Sequence, residues 1–292
     1  MEVDRRSLMK GILAGGALLA LGTPPWALGE SSPRRPNQCL LLLGGSGADD
    51  VFATGAGAAA TGMSYDGLQI VKLKGGLLTD TDRAITLLKR SRGARVVAVM
   101  DDAGAAMFLE LARTEGVRLL SMGTHACSTG AASPLRHAWS SSSAAHSAGG
   151  LLASQLLQRH GSFSITESFL QEPAAGDAFT SWSAPGFSSY RFTEPEAIHM
   201  HCCGVSLTEG RRFLGLDTTD AWIRIPQHGR KRESVTWQSE NWVESVGYAV
   251  TASALGRESV RESCSARAFV HQSRNGAPIP PMERFVSFVM DI

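Results

Sequence analysis

Residues 93–122 carry the clearest structural pattern in the chain and read GARVVAVMDDAGAAMFLELARTEGVRLLSM. Val96–Met100 is a continuous, largely β-branched apolar run, which is typical of a strand buried on both faces. Ala103–Thr114 has apolar residues at helical spacing, and Gly116 follows as a stop signal. Val117–Met122 is a further apolar run. Strand, helix and strand joined by short loops predict a parallel sheet flanked by helices.

The same alternation extends upstream. Leu40–Leu43 and Leu68–Leu73 are predicted strands, and a helix is expected between about residues 79 and 91. The stretch Asp49–Ala60 between the first two strands contains two glycines. Each glycine costs about 1 kcal/mol relative to alanine inside a helix. This stretch is therefore interpreted either as a weak helix or as a loose glycine-rich loop.

The second half is less regular. Ser140–Ser143 resembles a flexible loop, and a strong helix is predicted over Ala144–Arg159. One more helix is expected near Ser239–Leu255. Further predicted strands are Tyr190–Thr193, Ile198–Leu207, Ala221–Ile225, Ala268–Ser273 and Arg284–Met290. The predicted class is α/β, with a parallel sheet and flanking helices in the N-terminal half and a mixed α+β C-terminal half.

Composition excludes several classes of protein. The chain has 292 residues, 43% of them hydrophobic, and a formal net charge of +1. Near-neutral charge gives no reason to expect a nucleic-acid partner, because such proteins usually carry a basic patch. A chain of this length, hydrophobic fraction and balanced charge can bury a substantial core without disulfides or metals.

The N-terminus has the features of an export signal. The segment 2–10, which is rich in charged residues, precedes an apolar stretch, 11–22. This stretch is shorter than the roughly 20 residues of a membrane span. Arg5 and Arg6, followed by Ser-Leu-Met-Lys, resemble the twin-arginine (Tat) signal of bacteria, although Asp4 and Leu8 depart from its usual pattern. The alternative is a general secretory signal with two chance arginines.

The resemblance implies that the protein crosses the membrane already folded, with the Tat translocase as its partner during export. We expect cleavage after Gly29 and no stable membrane span afterwards, which places the mature protein in the periplasm. The predicted organisation is a signal peptide over 1–29, a linker over 30–38, an α/β region over 39–161 and an α+β region over 162–292. The last two are either separate or parts of one domain.

A ligand site is expected where the predicted parallel strands end, since open α/β sheets bind ligands beyond those ends. Gly45, Ser46 and Gly47 follow the first strand and could cradle an anion with their backbone N–H groups. Asp101 and His125 follow later strands and could act as a base or a hydrogen-bonding pair. The competing interpretation is that the glycines form a tight turn, Asp101 caps a helix and His125 is an ordinary loop residue.

A second candidate site is the string His199-Met-His-Cys-Cys203. A strand would place His199, His201 and Cys203 on one face, where two imidazoles and a thiolate could hold copper or zinc. The possible fourth ligands are His271, His228 and Cys264. The alternative is a disulfide from Cys202 or Cys203 to Cys264 or Cys127, or inert thiols.

Recognised catalytic motifs are missing from the sequence. It contains no Gly-x-Ser-x-Gly, Cys-x-x-Cys or His-Glu-x-x-His pattern. Three roles remain: a periplasmic binding protein, an accessory subunit of an exported cofactor-bearing enzyme, or a metal-dependent or redox enzyme built on His199, His201 and Cys203. We favour the non-catalytic roles.

Overall fold

The computed structural model of the chain describes residues 35–128, 133–159, 161–170, 186–192, 198–214, 222–226, 237–257, 264–273 and 283–292. The helices are α1 Asp49–Gly62, α2 Thr81–Arg90, α3 Asp102–Thr114, α4 Gly149–Arg159, α5 Leu207–Phe213 and α6 Trp242–Ala254. The strands are β1 Cys39–Leu43, β2 Leu68–Lys72, β3 Arg95–Met100, β4 Arg118–Cys127, β5 Leu135–Ser141, β6 Phe163–Phe169, β7 Ser188–Phe192, β8 Ile198–Cys203, β9 Ile223–Ile225, β10 Ala266–His271 and β11 Arg284–Asp291.

One mixed sheet runs through both halves of the chain, in the order β2-β1-β3-β11-β4-β5-β6-β10-β8-β7-β9. β1 pairs in parallel with both β2 and β3, whereas β11 runs antiparallel to its neighbours β3 and β4. The predicted α/β class is confirmed, with parallel pairing at the N-terminal end of the sheet and mixed pairing beyond it. The last strand of the chain lies in the middle of the sheet.

Helices cover both faces of the sheet. On one face, side chains from α1, α4 and α6 pack with alternate residues of the strands, such as Leu41, Ile165 and Phe269. On the other face, α2 and α3 cover β1, β3 and β11, while α5 packs against β8. Leu41 and Phe269 come from the two predicted regions, so residues of both regions share one hydrophobic core.

The glycine-containing stretch after β1 forms helix α1 rather than a loose loop. Gly55 faces the Glu244 carbonyl of α6, and Gly247 of α6 faces the Phe52 carbonyl of α1. A Cβ atom at either glycine would overlap that backbone. The glycines therefore weaken the helix intrinsically but let two helix backbones approach each other closely.

Arginine side chains hold both the first and the last described segments of the chain. Asp291, at the end of β11, accepts hydrogen bonds from Arg95 Nε (2.7 Å) and Arg118 Nη2 (2.6 Å). Burial alone would raise the pKa of Asp291, but the two guanidinium groups outweigh burial and lower it. Near the N-terminal end, Arg35 donates to the carbonyls of Met63 and Ser64 after α1.

Several element boundaries differ from the sequence predictions. The fourth strand continues to Cys127, five residues beyond the expected end at Met122. Strand β5 occupies Leu135–Ser141, where a serine loop was expected from residue 140. The predicted helix from Ala144 begins as a single 3-10 turn, and α4 itself starts at Gly149. Strand β6 and helix α5 were not predicted.

Candidate functional site

The glycine loop after β1 is held by a carboxylate of its own chain. Asp49, at the start of α1, is buried and accepts hydrogen bonds from Gly45 N (2.8 Å) and Ser46 N (3.1 Å). The Ser46 hydroxyl also donates to Asp49. Two of the backbone groups predicted to cradle an anion therefore already bind one, which is the carboxylate of Asp49.

The loops after β1, β2 and β3 meet at one edge of the sheet, which we call the carboxyl edge (residues 44–48, 73–80 and 101–102). Gly45 has a positive φ of 88°, and its missing Cβ would lie 2.8 Å from Gly76 Cα in the loop after β2. The Gly44 N–H donates to the Val99 carbonyl near the end of β3. The predicted residues Gly45, Ser46, Gly47 and Asp101 are thus brought to a common edge.

Asp101 has a structural role at this edge. Its carboxylate accepts a hydrogen bond from Gly104 N at 2.6 Å, which makes it the N-cap of α3. The side chain is nevertheless exposed. Next to it, Asp102 forms a half-exposed ion pair with Arg284 at the start of β11, with Nε and Oδ2 2.7 Å apart. The carboxyl edge therefore presents charges of both signs to solvent.

His125 does not lie in a loop at the carboxyl edge; it is in β4 and completely buried. It is opposite His137 of β5, and the two Nδ1 atoms are 3.1 Å apart. His125 Nε2 lies 2.8 Å from Ser287 Oγ of β11. The expected hydrogen-bonding pair of His125 with Asp101 is wrong, because the extension of β4 and its pairing with β5 turn the imidazole into the core.

Aromatic rings enclose the two imidazoles. Trp139 and Phe285 lie with ring centroids 4.7 and 4.9 Å from that of His125. Trp242 of α6 lies 5.7 Å from His137. Burial, followed by the repulsion from His137, lowers the pKa of His125 well below its ordinary value of 6.5. His125 is therefore neutral at pH 7, and the contact between the two Nδ1 atoms needs a proton on only one of them.

The β8 string lies in a strand, as the sequence predicted. Met200 and Cys202 pack into the cluster beside α5, so His199, His201 and Cys203 point to the opposite face. His201 lies 2.8 Å from Ser189 Oγ of β7 through Nδ1 and stacks on Phe269, with ring centroids 4.6 Å apart. Its neighbours are thus a hydroxyl and an aromatic ring.

Metal-binding geometry does not form around this string. Among the described residues, no group of three or more His, Cys, Asp or Glu side chains is arranged to hold a metal ion. The fourth ligands considered from the sequence include His228, which lies outside the described residues, and His271, whose Nδ1 contacts the Cys203 carbonyl at 3.2 Å. The described residues around His199, His201 and Cys203 therefore do not form a copper or zinc site.

No disulfide forms among the five cysteines, which are Cys39, Cys127, Cys202, Cys203 and Cys264. Sheet register shows why the pairing of Cys202 with Cys264 fails. Cys202 is opposite Val270 in β10, six residues along the chain from Cys264. At about 3.3 Å per residue, the two lie about 20 Å apart. The disulfide alternative is wrong, and four of the five thiols are buried.

A buried charged cluster was not found from the sequence. Glu167 of β6 and Arg267 of β10 form an ion pair at 2.8 Å with both side chains inaccessible to solvent. Glu167 also accepts hydrogen bonds from Ser147 and from Gly149 N at the start of α4. The alternation of apolar and polar residues in FSITESF (residues 163–169) is the signal that could have revealed β6 and the inward glutamate.

Comparisons with models of known protein families, with curated proteins and with solved structures found no match to this chain. Within the described part of the chain, none of the helices combines the length and apolar character needed to cross a bilayer. Arg5 and Arg6 lie outside the described residues.

Proposed function

We propose that this protein is exported by the twin-arginine route after folding and acts in the periplasm as a non-catalytic binding or accessory protein. The observation that carries the export proposal is the N-terminal sequence, in which Arg5 and Arg6 precede the apolar stretch 11–22. The cysteines are compatible with this route, because none of the five forms a disulfide and four are buried. Disulfides form readily among accessible thiols in an oxidising compartment. A chain that has folded in the reducing cytoplasm would carry its thiols across the membrane already shielded.

The accessory role is supported by the carboxyl edge. Its loops converge, as the edges of open α/β sheets that bind ligands do. Its backbone amides already bind Asp49, so a free anion is not the expected ligand. The exposed groups are instead side chains of both signs, including Asp101, Lys74 and Arg284. Such a surface suits the polar face of a protein partner, for example a cofactor-bearing enzyme exported with it.

The alternative, a metal-dependent or redox enzyme centred on β8, is not favoured. His199 and His201 are buried, and the described residues around them offer no metal-binding arrangement.

Replacing Arg5 and Arg6 together by lysine tests the export route. Lysine keeps the positive charge but lacks the planar guanidinium, so a general secretory signal would tolerate the change and a signal that reads arginine would not. We expect the double variant to remain in the cytoplasm, as judged by fractionation and immunoblotting. Undiminished appearance of the variant in the periplasm would contradict the twin-arginine proposal.

A photo-reactive amino acid placed at Asp101 tests the accessory role in the native compartment. The matched control carries the same photo-reactive amino acid in place of Arg90. Arg90 is also exposed but lies at the end of α2, away from the carboxyl edge. We expect a cross-linked product of one defined mass at position 101 and none at position 90. Absence of a product at position 101, or equal products at both positions, would contradict the use of this edge by a partner.

A further inference from the structure

Strand β2 forms one edge of the sheet, and β1 is its only strand partner among the described residues. Its central residue, Ile70, is 58% exposed, which is unusual for a large apolar side chain in a strand. Gln69 and Lys72 are exposed as well. Natural proteins usually protect such an edge, because its free N–H and C=O groups can pair with another strand.

The hydrogen bonds to β1 show which groups of β2 face outward. Leu73 N, directly after the strand, donates to the Leu43 carbonyl at 2.9 Å. Backbone groups point alternately to the two sides of a strand, so odd-numbered residues of β2 face β1. The N–H and C=O groups of Leu68, Ile70 and Lys72 therefore point to the free edge. They form a regular set centred on Ile70.

We propose that β2 pairs with β2 of a second copy of this chain, antiparallel and related by a two-fold axis at Ile70. In this register Ile70 is opposite Ile70, and Leu68 is opposite Lys72 of the second copy. Each outward N–H then donates to an outward carbonyl, so the pairing satisfies all the groups that β1 leaves free. The two Ile70 side chains lie side by side on one face of the joined sheet, which removes apolar surface from water.

Charge supports the same register. Extending it by two residues at each end places Asp66 opposite Lys74 of the second copy, and the two-fold axis repeats that opposite-charge pair. Both residues are exposed. Two antiparallel copies of β2 therefore complement each other in hydrogen-bonding groups, in the apolar centre and in the flanking charges. Such self-complementarity suits an isologous contact, the commonest type in homodimers.

Sedimentation equilibrium of the purified protein over a concentration series tests the proposal, with Ile70→Pro as the first variant. Proline removes only an outward N–H, and proline is tolerated on an edge strand whose N–H faces solvent. We expect the wild type to form dimers and the variant to raise the dimer dissociation constant at least about tenfold, since two central hydrogen bonds are lost. Val71→Pro is the matched control; its N–H faces β1, so it should lower the thermal stability of the monomer instead.

Charge reversal keeps the test decisive even if Ile70→Pro misfolds. Asp66→Lys and Lys74→Asp should each weaken the dimer, and the double variant should restore it, because the opposite charges face each other again. A wild type that stays monomeric at every concentration overturns the proposal. A double variant whose dimer dissociation constant is no lower than those of the single variants also overturns the proposal. Growth beyond dimers would indicate pairing of β2 with the other edge strand, β9, and would also overturn it.

Discussion

At the scale of single residues, the buried pair of His125 and His137 makes stability depend on pH. In the unfolded chain His125 titrates near its ordinary value of 6.5, whereas in the folded protein its pKa is well below that value. Below pH 6.5 the unfolded state therefore binds more protons. The stability that the neutral imidazole contributes is complete above about pH 6.5 and is lost as the pH falls toward the folded pKa.

We expect the free energy of unfolding to fall by as much as about 1.4 kcal/mol per pH unit for this group between about pH 6 and pH 5. Urea unfolding at a series of pH values measures the slope. His125→Gln should remove from this slope the contribution of about one proton. The control is His271→Gln: burial also lowers the pKa of this half-buried histidine, but the Cys203 carbonyl opposes the shift, so the slope should change less. An identical slope for His125→Gln and wild type would contradict the prediction.

The buried ion pair of Glu167 and Arg267 gives a second prediction at this scale. Removing one partner leaves the other charge without compensation in the core, so Arg267→Met should lower the free energy of unfolding by about 3–5 kcal/mol. Replacing both residues, as Glu167→Gln with Arg267→Met, should cost less than the sum of the single changes. Denaturant unfolding of the four proteins in this cycle measures the coupling. Additive effects would mean that the two charges do not depend on each other.

At the scale of elements, the contact between α1 and α6 can be tested with two glycines of the same helix. Gly55→Ala would place a methyl group against the Glu244 carbonyl and should destabilise the protein by about 1–3 kcal/mol. Gly57→Ala is the matched control, since a Cβ there meets nothing within 4 Å. It should stabilise the protein by up to about 1 kcal/mol. Thermal unfolding distinguishes the two, and equal shifts would contradict close helix packing.

Elements buried on both faces could be predicted from the sequence. Strand β3 (RVVAVM) and its neighbour β1 (CLLLL) are continuous apolar runs because helices cover both their faces. Strands β5 and β6 were missed because only one of their faces is fully buried, and half-exposed serine, threonine and alanine residues alternate with the buried ones. Ser140 and Ser141 of β5 were assigned to a loop, and no element was assigned to residues 163–169, although both strands have the period of two.

The candidate site was only partly predictable for the same reason. The loops of the carboxyl edge follow locally from β1 and β3, so Gly45 and Asp101 were placed correctly at strand ends. The environment of His125 depends on β5 and on β11, which is more than 150 residues away in the chain. The role of Asp49 as the acceptor for the glycine loop depends on where α1 begins, and that start is weakly marked in the sequence.

At the scale of the whole molecule, the burial of the thiols can be tested by chemical labelling. Burial raises the pKa values of the Cys39 and Cys202 thiols to about 12, so neither should react readily with an alkylating reagent in the native state. The purified protein should label at all five cysteines after denaturation and at one or none before it, as counted by mass spectrometry. Fewer than five labels after denaturation would reveal a disulfide and contradict the thiol state of the cysteines.

Strand β11 supplies the last prediction, because it separates β3 from β4 in the sheet. Ending the chain at residue 283 removes Phe285 and Phe288, which are completely buried, and leaves β3 and β4 with one strand neighbour each instead of two. We expect this truncated protein to lack a cooperative thermal transition. A chain that begins at residue 30 instead, and so lacks only the predicted signal peptide, is the control and should unfold cooperatively.

The central position of β11 also sets the order of events during synthesis. A ribosome that is still adding residues 284–291 holds a chain whose β3 and β4 have no common neighbour, so the two parts of the sheet cannot join until β11 has been made. A stop codon before residue 284 would therefore release two separate parts of a sheet rather than a shortened but folded protein. Synthesis of β11 is thus the step that lets strands made much earlier come together.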